Sequence, residues 1–122
     1  MDDSILTTIA SMLLGSFDPT TYNATDAFMT DLIVGINSSL SIMTQMGVGS
    51  EDGFSITGPE ETWGDFFGDY PRDDIEMIKS YVYMKTKLMF DPPQNSFLVD
   101  SLNKLCNELE FRINVAVDTE RS

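Results

Sequence analysis

The side chains able to do chemistry in this chain are one thiol and several paired carboxylates. Cys106 is the sole cysteine, and there is no histidine. Nucleophilic catalysis by serine or cysteine ordinarily needs an adjacent base. Without histidine that base would have to be Lys, Asp or Glu. Cys106 directly follows a leucine in an apolar helical pattern, so it reads as a small half-buried apolar residue. One cysteine without histidine makes a poor zinc site. The carboxylates pair up as Glu51/Asp52, Glu60/Glu61, Asp65/Asp69 and Asp73/Asp74. Oxygen ligands of this kind suit a hard cation such as calcium. None has the Asp-x-Asp-x-Asp-Gly spacing of an EF-hand, and they read as helix caps and solvated loop charges. Two carboxylates can also hydrolyse a glycoside, but nothing singles out one pair. The expectation is therefore a protein that is not an enzyme, with no catalytic residues, no cofactor and no metal. A metal-dependent hydrolase is the most distant alternative.

The elements around these groups are helical. A first helix is expected over about Ser4–Leu14, with Asp2, Asp3 and Ser4 at its start and Gly15 at its stop. Ile5, Ile9, Met12 and Leu13 fall on one face. A second, longer helix over about Thr25–Met46 is capped by Asn23 or Thr25. It carries the stripe Phe28, Leu32, Ile36, Leu40 and Met43, with Met29 and Ile33 beside it. Gly35 and Ser38-Ser39 either admit another helix at close range or face solvent. From Gly47 to Gly68 the chain is punctuated by glycine and proline. There Phe54-Ser-Ile56 alternates like half of a small hairpin, and Thr62-Trp-Gly-Asp65 has the spacing of a capping box. Trp63, Phe66 and Phe67 are too apolar for a free loop. They serve either as lids on the core or as interface anchors.

A third long element is expected over about Arg72–Phe90, with Ile75, Ile78, Tyr81, Val82, Leu88 and Met89 inward and Lys79, Lys85 and Lys87 toward its later turns. Asp91-Pro92-Pro93 breaks it. A last helix, capped by Asn95 or Ser96, carries Leu98, Leu102, Leu105, Leu109, Ile113 and Ala116 as its core stripe. Asp100 with Lys104 and Glu108 with Arg112 are expected i,i+4 pairs. The fold class is thus all-α: a four-helix bundle with two long C-terminal helices and an irregular aromatic loop or small hairpin between the second and third. Residues 1–117 form one helical domain, and 118–122 form a polar tail that frays or folds only against a partner.

Charge separates the chain into two parts. Residues 1–71 hold 11 Asp/Glu and no Lys or Arg; residues 72–122 hold 9 acidic and 7 basic residues, within a net charge of −13. Such a first half repels phosphate backbones. The three lysines before the double proline are weak support for a helix-turn-helix reader. No apolar run approaches the roughly 20 residues of a membrane span. Asp2 and Asp3 stand where a secretory signal would carry lysines, so a reducing cytoplasm is the expected folding compartment.

The run Ile78-Lys-Ser-Tyr81-Val-Tyr83-Met-Lys85-Thr-Lys87-Leu-Met-Phe90-Asp91-Pro92-Pro93, then Ser96-Phe-Leu-Val and Glu108-Leu-Glu110-Phe-Arg112-Ile-Asn114, resembles the small head–tail connector (adaptor) proteins of tailed bacteriophages. Gln45-Met-Gly-Val-Gly-Ser-Glu-Asp-Gly-Phe54 and Thr62-Trp-Gly-Asp-Phe66 are similar to that family too. The resemblance covers about Ala24 to Val117, in matching order. It implies an all-α structural protein of the virion, assembled in the bacterial host cytoplasm. It implies a homo-oligomeric ring on the portal protein that extends the DNA channel and docks a downstream head-completion or tail protein. DNA passes through such a ring without specific binding, and no membrane is involved. Within that reading Phe90, Pro92, Pro93 and Phe97 set the angle between the last two helices. Trp63, Phe66 and Phe67 are possible interface residues, and Glu51, Asp52, Glu60 and Glu61 are possible channel-facing acids. The alternative is a small acidic protein-binding module, such as a DNA-mimic inhibitor.

Overall fold

In the computed structural model, residues 4–21, 23, 25–49, 53–68 and 75–121 are described, the last four of them as backbone only. Among them are five α-helices: α1 (Ile5–Leu14), α2 (Ala27–Gln45), α3 (Trp63–Phe67), α4 (Ile75–Phe90) and α5 (Ser96–Arg121). A 3-10 turn over Pro19–Thr21 links the first two. α4 is the central element. It packs along α2 and against α5, while α1 leans on α4 and α2. The chain is all-α as its periodicity predicts, with a fifth short helix inside the aromatic segment. Helix α5 continues to Arg121, through the first residues assigned to the polar tail.

Ser4 caps α1 by accepting from the Thr7 amide, and Gly15 closes it in the left-handed region at φ 86°. Its buried face is Ile5, Leu6, Ile9 and Ala10; Met12, expected inside, is exposed. The cap of α2 is Asp26, which accepts from the Phe28 amide. Asn23 instead accepts from the amide and hydroxyl of Thr25, folding the approach rather than capping the helix.

Leu32, Ile36, Leu40 and Met43 are buried as the stripe predicts, but Phe28 is exposed and Met29 takes its inward place. Gly35 and Ser39 resolve the open choice in favour of close packing. A Cβ at Gly35 would stand 3.3 Å from Thr86 Cγ2. Ser39 donates to the Gly35 carbonyl at 3.1 Å and lies 3.3 Å from the Thr86 hydroxyl. Small residues let α2 and α4 meet almost backbone to side chain. Ser38, one position on, faces out. By length and composition α2 could cross a membrane, a property that counting unbroken apolar residues missed. Here its apolar stripe is buried in the protein while Thr30, Asp31 and Ser41 are exposed.

The alternation Phe54-Ser-Ile56 does not build a hairpin; no strand occurs among the described residues. The reason is a distant side chain. Asn37 of α2 accepts from the Ile56 amide at 2.7 Å and donates to its carbonyl at 3.0 Å. One carboxamide therefore satisfies both backbone groups that a neighbouring strand would have paired. An isolated antiparallel bridge joins Ser4 to Thr62, and the Ile5 amide donates to the Glu61 carbonyl.

The capping box at Thr62 forms as its spacing predicts: Thr62 accepts from the Asp65 amide and Asp65 from the Thr62 amide. It opens α3, whose Trp63, Phe66 and Phe67 are buried. Gly49, at φ 80°, passes so close that a Cβ would lie 2.9 Å from the Phe66 carbonyl oxygen. Only glycine permits both that backbone conformation and that approach.

Candidate functional site

Among the described residues, the carboxylate pairs picked out by sequence do not converge on the thiol. Cys106 is buried on α5, more fully than its half-buried assignment. Burial raises its thiol pKa, Lys85 lowers it and Glu110 raises it, with a net rise. Reactive thiolates need the reverse. No group of three or more potential metal ligands occurs among the described residues.

Glu61 has a structural task. It accepts from the Thr57 amide (3.0 Å), the Thr57 hydroxyl (2.7 Å) and the Gly58 amide (3.3 Å). Burial pushes its pKa up, but these bonds together outweigh burial and hold it below the ordinary value. Asp65 is committed to the α3 cap. Glu60 is exposed, while Glu51, Asp52, Asp69, Asp73 and Asp74 lie outside the described residues.

The lysines of α4 are likewise engaged. Lys79 pairs with Glu76 at 3.5 Å and sits 5.7 Å from the centre of the Trp63 ring. Lys85 reaches Glu110 at 3.8 Å, and Lys87 reaches Asp91 at 3.8 Å. Trp63 donates to the Thr8 hydroxyl and lies near-parallel to Phe67 at 6.1 Å. With Phe66 they form a lid on the subunit's own core.

At the corner between the last two helices, α4 ends at Phe90 and α5 starts at Ser96. The cap is Asn95, which accepts from the Phe97 amide at 2.8 Å. Phe90 is half-buried and stands edge-on to Phe28, with ring centres 4.9 Å apart. Phe28 makes this contact while 43 % exposed. Pro93 is half-buried and Pro92 exposed. Phe97 points outward at 74 % exposure. The four residues grouped by sequence thus divide: Phe90 and Pro93 touch the body, Pro92 and Phe97 face solvent.

Helix α5 departs furthest from expectation. Its fully buried residues are Cys106, Ile113 and Val117, with Leu102 and Leu109 half-buried against the core. Leu98 and Leu105, assigned to the core, are exposed, as are Phe111 (69 %) and Val115. The inward line is rotated toward Cys106, leaving Leu98 and Leu105 on its margin. Phe111 lies roughly 200° round the helix from Leu109, where no core stripe could include it. That offset, together with a phenylalanine at the 14-residue spacing from Phe97, was the signal available in the sequence. Glu108 pairs with Arg112 at 2.6 Å as expected, but Asp100 and Lys104 form no ion pair.

Tyr81 of α4 donates to Glu110 of α5 at 2.9 Å, and with the Lys85–Glu110 ion pair it fastens the two helices. Burial first, then the bonded carboxylate of Glu110, hold the phenol above its ordinary pKa.

A groove of ≈ 290 Å³ opens between α2 and α4, lined by Asp31, Val34, Gly35, Ser38, Met89 and Phe90. Val34 (59 %) and Met89 are exposed on its walls. Sequence reasoning placed Met89 in the core and passed over Val34.

These features define a class: a small helical subunit whose polar groups serve its own fold and whose last helix carries large apolar side chains outward. The chain belongs to the phage connector protein family, whose family model matches residues 5–120. No match was found among curated proteins or among solved structures. Membership makes the protein a structural component of a phage particle that works together with other head and tail proteins.

Proposed function

We propose that this chain forms a ring at the head–tail junction, extends the portal DNA channel, and docks further head-completion or tail proteins. The observation that carries this reading is the family match over residues 5–120. Two features of the subunit support it. Large apolar residues on α5 are exposed, in a helix whose other side already packs on the core; exposed apolar surface of this kind marks contact sites. The first 71 residues carry no cation, so any channel they line repels DNA instead of holding it. In this reading residues 1–117 act as one connector domain assembled in the host cytoplasm, and residues 118–122 reach toward the portal.

Glu51, Asp52 and Glu60 are the channel acids to test. Glu61 and Asp65 must be spared, because their carboxylates hold the loop and the α3 cap. Serine at the three tested positions is expected to slow DNA ejection from otherwise complete particles. Unchanged ejection removes the channel role from this segment.

A further inference from the structure

We propose that Phe111 of one copy enters the α2–α4 groove of the next copy, with Lys104 set beside Asp31. This pairing rests on the ring reading above and supplies its subunit contact. Size agrees first. A cavity of about 150 Å³ holds a benzene molecule, and this groove offers ≈ 290 Å³. Its apolar walls are Val34, Met89 and Phe90, and Gly35 contributes no side chain to fill it. Each of these belongs to α2 or α4, which pack along one another.

Charge agrees next. Among the described residues, neither Asp31 on the groove wall nor Lys104 forms an ion pair. Lys104 lies seven residues, about two turns, before Phe111, and Phe97 lies seven before Lys104, which places the three on one line along α5. A phenyl knob two turns from an unpaired cation thus matches a groove with room for a phenyl ring and an unpaired carboxylate in its wall. The wider distribution has the same sense: all seven cations follow residue 71, while α2 belongs to the cation-free part.

Topology then selects Phe111 over Phe97. Phe97 begins α5, close in the chain to Phe90 of its own groove, and its insertion would bring corner against corner. Phe111 lies about 21 Å further along the helix. Knob and hole on separated parts of one chain make a head-to-tail contact, which repeats around a ring instead of stopping at a dimer.

The test is cross-linking on portals with a short bis-maleimide. Val34→Cys and Phe111→Cys proteins are mixed, with the wild-type chain, whose Cys106 is buried, as control. Linked dimers are expected from the mixture and from neither variant alone, and a ladder of higher species from the double variant. Linking by Val34→Cys alone means that groove meets groove and overturns the pairing. Rings on portals without linking in the mixture overturn the pairing and leave the ring. A wild-type chain that makes no ring removes the ring reading and the pairing together. Asp31→Lys and Lys104→Asp are each expected to weaken ring formation and together to restore it; failure of restoration overturns the charge contact.

Discussion

The described residues of 4–90 bury most of their large apolar side chains, whereas helix α5 leaves a larger share of its own in solvent. In the first region Ile5, Ile9, Leu32, Ile36, Leu40, Trp63, Phe66, Ile78 and Tyr81 are buried, and small residues at Gly35 and Ser39 draw the helices together. In α5 only Cys106, Ile113 and Val117 are fully buried, while Phe97, Leu98, Leu105, Phe111 and Val115 stand in solvent. The body commits most of its large residues to its own core and leaves Met12, Leu14, Phe28, Val34 and Met89 exposed. The last helix has one line that anchors it and large side chains left over. The proposed ring needs both, because each subunit must hold its own shape and still present surface to neighbours.

Two phenylalanines give the sharpest contrast. Phe66 is buried between Phe54 and Phe67, with ring centres 5.5 and 5.2 Å away. Phe66→Ala is expected to lower unfolding stability by about 3–5 kcal/mol, read as a fall in the urea midpoint. Phe111→Ser is expected to leave monomer stability within about 0.5 kcal/mol, as for other surface changes, while weakening ring formation. Similar losses of stability in both variants would erase the distinction between the two regions.

Asn37 supplies the intermediate effect. Its removal strands the Ile56 amide and carbonyl, so Asn37→Ala is expected to cost about 1–3 kcal/mol. Faster hydrogen exchange at the Ile56 amide, with the α5 amides unchanged, would mark the loop as its own locally held unit. Exchange that rises equally in α5 would show the two regions unfolding together.

A smaller effect than that of Asn37 lies at the joint between them. Tyr81→Phe removes the bond to Glu110, which Lys85 still accompanies, and is expected to cost about 1 kcal/mol. Its pH dependence has a definite sign. The folded phenol is held above its ordinary pKa of 10.0, so the folded state keeps a proton that the unfolded chain releases. That stabilisation is fully present below about pH 10 and is lost as pH rises further toward the folded value. The Phe variant should show a shallower alkaline decline. An identical decline in both proteins would detach the phenol from α4–α5 packing.

Local signals were legible where the chemistry is local. Ser4, Gly15 and the Thr62–Asp65 box act within one helical turn of their own positions. The stripe of α2 was legible because 3.6-residue periodicity marks a face. The Asp26 cap was obscured by Asn23 and Thr25, which have the same capping chemistry but hydrogen-bond to each other. The loop at Ile56 was misread because its partner is 19 residues away, and alternation alone looks like a strand. Leu98 and Leu105 were misplaced for a different reason. Periodicity finds an apolar face without saying whether that face meets the same chain or another, so side chains turned to the outside of a subunit look like core. The aromatic triplet at Trp63, Phe66 and Phe67 shows the converse: its burial was readable from sheer apolarity, since no free loop tolerates it, while apolarity alone left lid and interface anchor both open.

The central claim is ring formation on a portal, and imaging addresses it directly. Purified portal incubated with excess chain should show, in negative stain, an added ring of density coaxial with the channel. Portals left bare in the presence of excess folded chain, with the chain remaining monomeric or bound to a basic protein instead, would contradict the account.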